Sequence, residues 1–267
     1  MYWQEVSGNW FLVPQQPRAI IHFLGGAFVA AAPHLTYRWL LEALYREGYA
    51  VVSTPFVNTF DHGAIALETL TTFDQGLTYL RKQRPEISDL PIYGIGHSMG
   101  CKVHLLIGST HPVQRAGNIF ISFNNFPARK SIPLLDQALQ QAKQFAPDLQ
   151  LDNRIEFTPS PEKTLNLIET EYNTPYNLLV KFRRDNIDQT RPLSEVLVQR
   201  FPTTTTVRIL QGTHTTPIAQ DLPWETTHWE TDRSFGPLDA LGQFVKQEFY
   251  RDLNMLKAEV LYWLSGE

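Results

Sequence analysis

Apolar positions along the chain alternate between short unbroken runs and a rhythm of three to four residues. The runs Ala19-Ile-Ile-His-Phe-Leu24, Ala50-Val-Val-Ser53, Pro91-Ile-Tyr-Gly-Ile95 and Ile119-Phe-Ile-Ser-Phe123 have the length and continuity of strands buried on both faces. Between them, Leu35, Trp39, Leu40, Ala43 and Leu44 predict a helix over 35–47, with Gly48 at its C-terminal stop. Ala66, Leu70, Phe73, Leu77 and Leu80 predict a second amphipathic helix, and a third starts near Ser98. The opening stretch, Tyr2 to Val13, reads as a hairpin turning at Ser7-Gly8-Asn9. Strand and helix alternating in this way predict an α/β fold: a mostly parallel central sheet with helices on both faces.

The alternation breaks from Asn124 to about Thr174. This stretch is richer in Pro, Asn and Gln, with helical patches near 134–145 and 162–172. We read residues 124–175 as a cap or lid inserted into one domain spanning 1–267, because it is too short and polar for a core of its own. The alternation resumes with a strand over 176–182, a helix over 194–200 and a strand over 205–210. A long amphipathic helix over 238–264 closes the chain, with Leu241, Val245, Phe249, Leu253, Leu256, Val260 and Trp263 on one face. No internal repeat is visible.

Composition narrows the function classes. The formal net charge of -4 over 267 residues argues against nucleic acid as a partner. A single cysteine, Cys101, can build neither a disulfide framework nor a zinc site and fits a reducing compartment. With no apolar stretch of membrane-spanning length and no secretory leader in view, the expectation is a cytoplasmic protein without a transmembrane segment.

Candidate chemistry enters at Gly96-His97-Ser98-Met99-Gly100, a G-x-S-x-G sequence. Roughly one random chain in ten of this length would carry one. Here, however, it follows a predicted strand and opens a predicted helix, as a nucleophile elbow requires. Such a turn lifts the serine hydroxyl above the sheet, and glycines flank it because a Cβ would collide with the neighbouring strand or helix. The Met99 N–H would then face a forming oxyanion. The second donor is expected from the loop after the first parallel strand, at Gly26 or Ala27.

A serine nucleophile needs a base, and the base an orienting acid, in the chain order serine, acid, histidine. His214 follows the last predicted strand, in Gln211-Gly-Thr-His214. Asp185 follows the strand before it and is the expected acid, with Asp188 as the fallback. His97 is expected to pack or cap rather than react, Cys101 to be a small buried residue, and Asp61 to start a helix beside His62.

Several of these stretches together resemble a family. His22-Phe-Leu-Gly-Gly-Ala-Phe28, Ala32-Pro-His-Leu-Thr-Tyr-Arg-Trp39, Gly94-Ile-Gly-His-Ser-Met-Gly100, Ser122-Phe-Asn-Asn125 and Gln211-Gly-Thr-His214 are similar to the DUF1350 family of cyanobacteria and plant plastids. The resemblance covers nearly the whole chain and implies an α/β-hydrolase fold and a photosynthetic source. It implies no substrate. Two departures from ordinary hydrolases stand out: the first loop lacks the common His-Gly dipeptide, and two arginines precede Asp185 in the acid loop.

The sequence therefore predicts a serine hydrolase acting on a carboxylic ester or thioester. Its partner would be a small acyl ester or lipid-like molecule, selected by apolar cap residues such as Phe126, Ile132, Leu134, Phe145 and Leu165. No cofactor or metal is needed for this chemistry. Acyl transfer on the same triad and a non-catalytic binding protein of the same fold are the alternatives.

Overall fold

The computed structural model describes residues 2–131, 156–219 and 237–266, with the backbone alone over 237–247. The strands β1 (Gln4–Val6), β2 (Asn9–Leu12), β3 (Ala19–Leu24), β4 (Tyr49–Ser53), β5 (Ile92–His97), β6 (Gly117–Ile121), β7 (Asn177–Phe182) and β8 (Thr205–Leu210) form one sheet. Their order is β1-β2-β4-β3-β5-β6-β7-β8. The β1–β2 hairpin joins antiparallel to β4, and every pairing from β4 to β8 is parallel.

Alternate residues of each strand feed opposite faces of this sheet, as the pleat requires. Ile21, Phe23, Val51, Ile95, Ile119, Ile121, Leu178 and Val180 face one way. There they meet α2 (Arg38–Arg46) through Leu40, Leu41 and Leu44, and α8 (Pro237–Ser265) through Leu253, Leu256 and Val260. Ile20, Leu24, Ala50, Val52, Phe120 and Leu179 face the other way. That side is covered by α3 (His62–Gln83), α4 (Met99–Thr110), α6 (Pro161–Glu171) and α7 (Thr190–Arg200). The short helices α1 (Pro33–Thr36) and α5 (Ala128–Ser131) lie in connections.

Most expected elements form, with shifted ends. The helix expected over 35–47 is divided: α1 ends at Thr36, Tyr37 turns away at φ -110° and ψ 18°, and α2 begins at Arg38. The Tyr37 side chain is fully buried by this break and reaches the site described below. Asp61 caps α3, its carboxylate accepting from the Ala64 N–H at 2.9 Å.

Within the 124–175 stretch, the helical patch near 134–145 lies outside the described residues, as do Ile132, Leu134 and Phe145. The patch near 162–172 forms α6. Ile168 and Tyr172 there are buried in the same cluster as Leu105 of α4 and Leu193 of α7, and Leu165 packs against that cluster. This half of the stretch thus covers the sheet.

Candidate active site

Strand β5 ends at His97, and α4 begins at Met99, so one residue makes the whole connection. That residue, Ser98, has φ 54° and ψ -116°. A left-handed conformation of this kind costs a non-glycine residue on the order of 1–3 kcal/mol and persists only where the surroundings impose it. The surroundings here are close. A Cβ on Gly96 would lie 2.6 Å from the Cys101 nitrogen, and one on Gly100 would collide with the Leu24 carbonyl. The two glycines let the helix start press directly on the sheet and hold Ser98 in its turn.

The predicted residues converge at this point. His214 Nε2 lies 3.0 Å from Ser98 Oγ, and His214 Nδ1 lies 2.8 Å from Asp185 Oδ2. A carboxylate only accepts, so Nδ1 carries the proton and Nε2 is left to accept from the serine hydroxyl. Asp185 is buried, which alone would raise its pKa. The hydrogen bond from His214 and the charge of that ring, with smaller contributions from the nearby Ser122 side chain and the Ile187 N–H, outweigh burial and hold the carboxyl below the ordinary aspartate value. Asp188 is engaged elsewhere: it accepts from Lys181 Nζ at 2.8 Å and from the Thr190 hydroxyl at 2.7 Å.

Of the two residues expected to offer a second oxyanion donor, Gly26 already donates its N–H to the Tyr37 hydroxyl at 2.8 Å. The Ala27 N–H has no acceptor among the described residues. Ala27, Met99 and Ser98 border the same cavity. The Met99 N–H, in the first turn of α4, has no intrahelical partner either.

Tyr37, which the sequence left without a role, and His97, expected to pack or cap, complete the arrangement. The Tyr37 hydroxyl donates to His97 Nδ1 at 2.7 Å, and His97 Nε2 donates to the His214 carbonyl at 2.8 Å. Burial lowers the His97 pKa to about 3, so the ring is neutral and this donor order is fixed. One buried chain of hydrogen bonds therefore runs from the loop holding Ala27 to the loop holding His214. A histidine at the buried end of a central strand, directly before the serine, was the available signal.

The cavity has a volume of about 720 Å³. Phe28, Val29, Phe126, Phe157 and Ile218 supply apolar walls, and Lys102, His62, Asn58, Asn125 and Lys130 supply polar ones. Phe126, Lys130 and Phe157 come from the 124–175 stretch. Leu165 does not line the cavity; it packs on the core. Among the described residues, no three His, Cys, Asp or Glu side chains converge as a metal site would require. No described helix is long and apolar enough to cross a membrane.

A central, mostly parallel sheet with a strained serine between strand and helix defines the α/β-hydrolase class, and solved structures bear out the fold. A Pyrococcus furiosus esterase matches with TM-score 0.54 and 18% identity over 78% of this chain and 78% of its own. A Pyrococcus horikoshii acylaminoacyl peptidase matches with TM-score 0.51 and 18% identity over 77% of this chain and 35% of its own. A Paleococcus ferrophilus monoacylglycerol lipase matches with TM-score 0.50 and 13% identity over 80% of this chain and 91% of its own. The chain belongs to the DUF1350 family, described as proteins of unknown function, whose model matches residues 2–266. No curated protein matches the sequence.

Proposed function

We propose that this protein is a serine hydrolase that cleaves a carboxylic ester or thioester through an acyl-serine intermediate. The reading rests on one observation: a histidine within 3.0 Å of a strained serine hydroxyl, its other nitrogen 2.8 Å from a buried aspartate. His214 Nε2 takes the Ser98 proton as Oγ attacks the acyl carbon. The carbonyl electron pair moves onto oxygen, where the Met99 and Ala27 N–H groups receive it. Each such donor typically contributes about 3 kcal/mol in the transition state. Collapse of the intermediate expels the alcohol or thiol, which takes the proton from His214. Water, activated by the same imidazole, then releases the acid. Asp185 holds the histidine tautomer throughout. The 124–175 stretch contributes one wall of the cavity and so takes part in choosing the substrate. The names carried by the structural relatives, an esterase and a lipase among them, agree with this reading, although only the fold is shared with them.

Covalent labelling tests it directly. A fluorophosphonate should add once, at Ser98, by intact mass and peptide mapping, and Ser98→Ala should take up none. An unlabelled Ser98 after hours of exposure would refute the proposal.

A further inference from the structure

The proposed reaction leaves a second polar cluster in the cavity unused. Lys102 stands on α4 four residues beyond Ser98, about 6 Å further along the helix axis, and is 1% exposed. An ammonium has three donors, yet among the described residues Lys102 Nζ donates only to the Pro159 carbonyl, at 3.3 Å. It also lies 5.6 Å from the centre of the Phe157 ring. Glu156 is too far away for an ion pair, and its carboxylate accepts from the Ala128 and Phe157 N–H groups at 2.9 and 2.8 Å. His62, 3% exposed, stacks on Phe157 at 4.1 Å, and neither of its ring nitrogens has a partner among the described residues. Both Lys102 and His62 border the cavity that contains Ser98.

A buried ammonium with one long hydrogen bond beside an unpartnered imidazole is costly unless an acceptor arrives from outside. An acidic group supplies that acceptor: it can take hydrogen bonds from the two free ammonium protons and from the N–H of the neutral imidazole. We infer that Lys102 and His62 form a subsite for an anionic group on the substrate, a carboxylate or a phosphate, so that the enzyme selects esters bearing an acid within reach of Ser98. The inference rests on the ester-cleaving reading above. Desolvation draws the Lys102 pKa down to about 7, with Glu156 opposing. The groups facing it are His62, which burial keeps neutral with a pKa of about 3, Glu156, and Lys130 on the cavity wall. Selectivity for the acid should therefore be strongest below pH 7 and fade as Lys102 loses its proton.

Matched esters differing only in a terminal methyl, carboxylate or phosphate, placed on the acyl or the alcohol side, test the subsite. At pH 6.5 the intact protein should favour one of the acidic esters roughly tenfold or more in kcat/KM, the range of a hydrogen bond to a charged group. The preferred acid identifies the source. Lys102→Met should abolish the preference and Lys102→Arg keep part of it. Equal rates on charged and neutral esters, or a preference that survives in Lys102→Met, would overturn the inference. Should Lys102→Met fail to fold, calorimetric binding of the uncleaved esters to Ser98→Ala decides. The acidic ester should bind about tenfold tighter at pH 6.5 and lose that advantage by pH 9; equal binding at both would overturn it. Fluorophosphonate labelling separates the two readings. A labelled Ser98 without charge preference sinks only the subsite, whereas charge-selective binding to a protein whose Ser98 never labels sinks only the ester-cleaving reading.

Discussion

Ser98 and Ser122 each follow one of two neighbouring parallel strands and share a positive φ, 54° after β5 and 52° after β6. Each continues the sheet by one hydrogen bond to the next strand. The Ser98 N–H donates to the Ile121 carbonyl at 2.9 Å, and the Ser122 N–H to the Val180 carbonyl at 2.8 Å. Their surroundings then diverge. Ser98 sits between close-packed glycines, opens onto the cavity and faces His214. Ser122 lies between the buried Ile121 and Phe123, is itself fully buried, and places its hydroxyl beside Asp185. A left-handed serine at a strand end is therefore not by itself a nucleophile. Space above the hydroxyl and an imidazole within reach make the difference, and the second serine lies beside the aspartate that holds that imidazole.

The largest way to probe this contrast is at the acid. Asp185→Asn should lower kcat on any ester found to be turned over by about 10³–10⁴-fold, because the amide no longer enforces the His214 tautomer. Asp188→Asn should leave kcat within a fewfold and lower stability instead, since Asp188 serves Lys181 and Thr190. Steady-state rates with parallel urea denaturation would separate them, and equal losses of kcat would undo the assignment of the acid.

Ser122→Ala should have a smaller effect, with kcat reduced by less than about tenfold at neutral pH, where the carboxyl stays ionised. Its clearer signature is in acid. A depressed Asp185 pKa adds stability that is present above the unfolded value near 4 and is lost as pH falls through the folded value. Without the Ser122 hydroxyl the folded value moves back towards 4, so less stability should be lost on acidification. Denaturation midpoints at pH 7 and pH 3 read this difference. The smallest change in stability is expected at Ser98 itself. Ser98→Gly should relieve the left-handed strain and, after the entropic cost of glycine, stabilise the fold by about 1 kcal/mol. That corresponds to a rise of roughly 2–4 °C in Tm, with all fluorophosphonate labelling gone. An unchanged or lower Tm would mean that the turn is relaxed.

What could be read before folding was what depends on neighbours in the chain. The G-x-S-x-G stretch, the strand before it and the helix after it are local, and the order of Ser98, Asp185 and His214 follows from which strands precede them. The sheet was legible because its strands are apolar on both faces. Tyr37 and His97 were not, since their bonds join residues far apart in sequence and the tyrosine sits where a continuous helix would be expected. The choice of Ala27 over Gly26 depends on that same tyrosine. Lys102 did leave a trace: in the mostly apolar run from Met99 to Gly108, all of it buried, it is the lone Lys, Arg, Asp or Glu, with His104 beside it. Only the folded structure reveals that it borders the cavity, with Phe157 and Pro159 packed beside it.

The chain from Gly26 through Tyr37 and His97 to His214 also acts as a mechanical brace. Three hydrogen bonds of 2.8, 2.7 and 2.8 Å tie the strand end and the two loops together, linking the backbone beside Ala27 to the backbone of His214. A site braced across its floor reshapes itself less readily around an ill-sized ligand. Sorting among ligands then falls to the walls above the brace, where a poor fit is refused at entry.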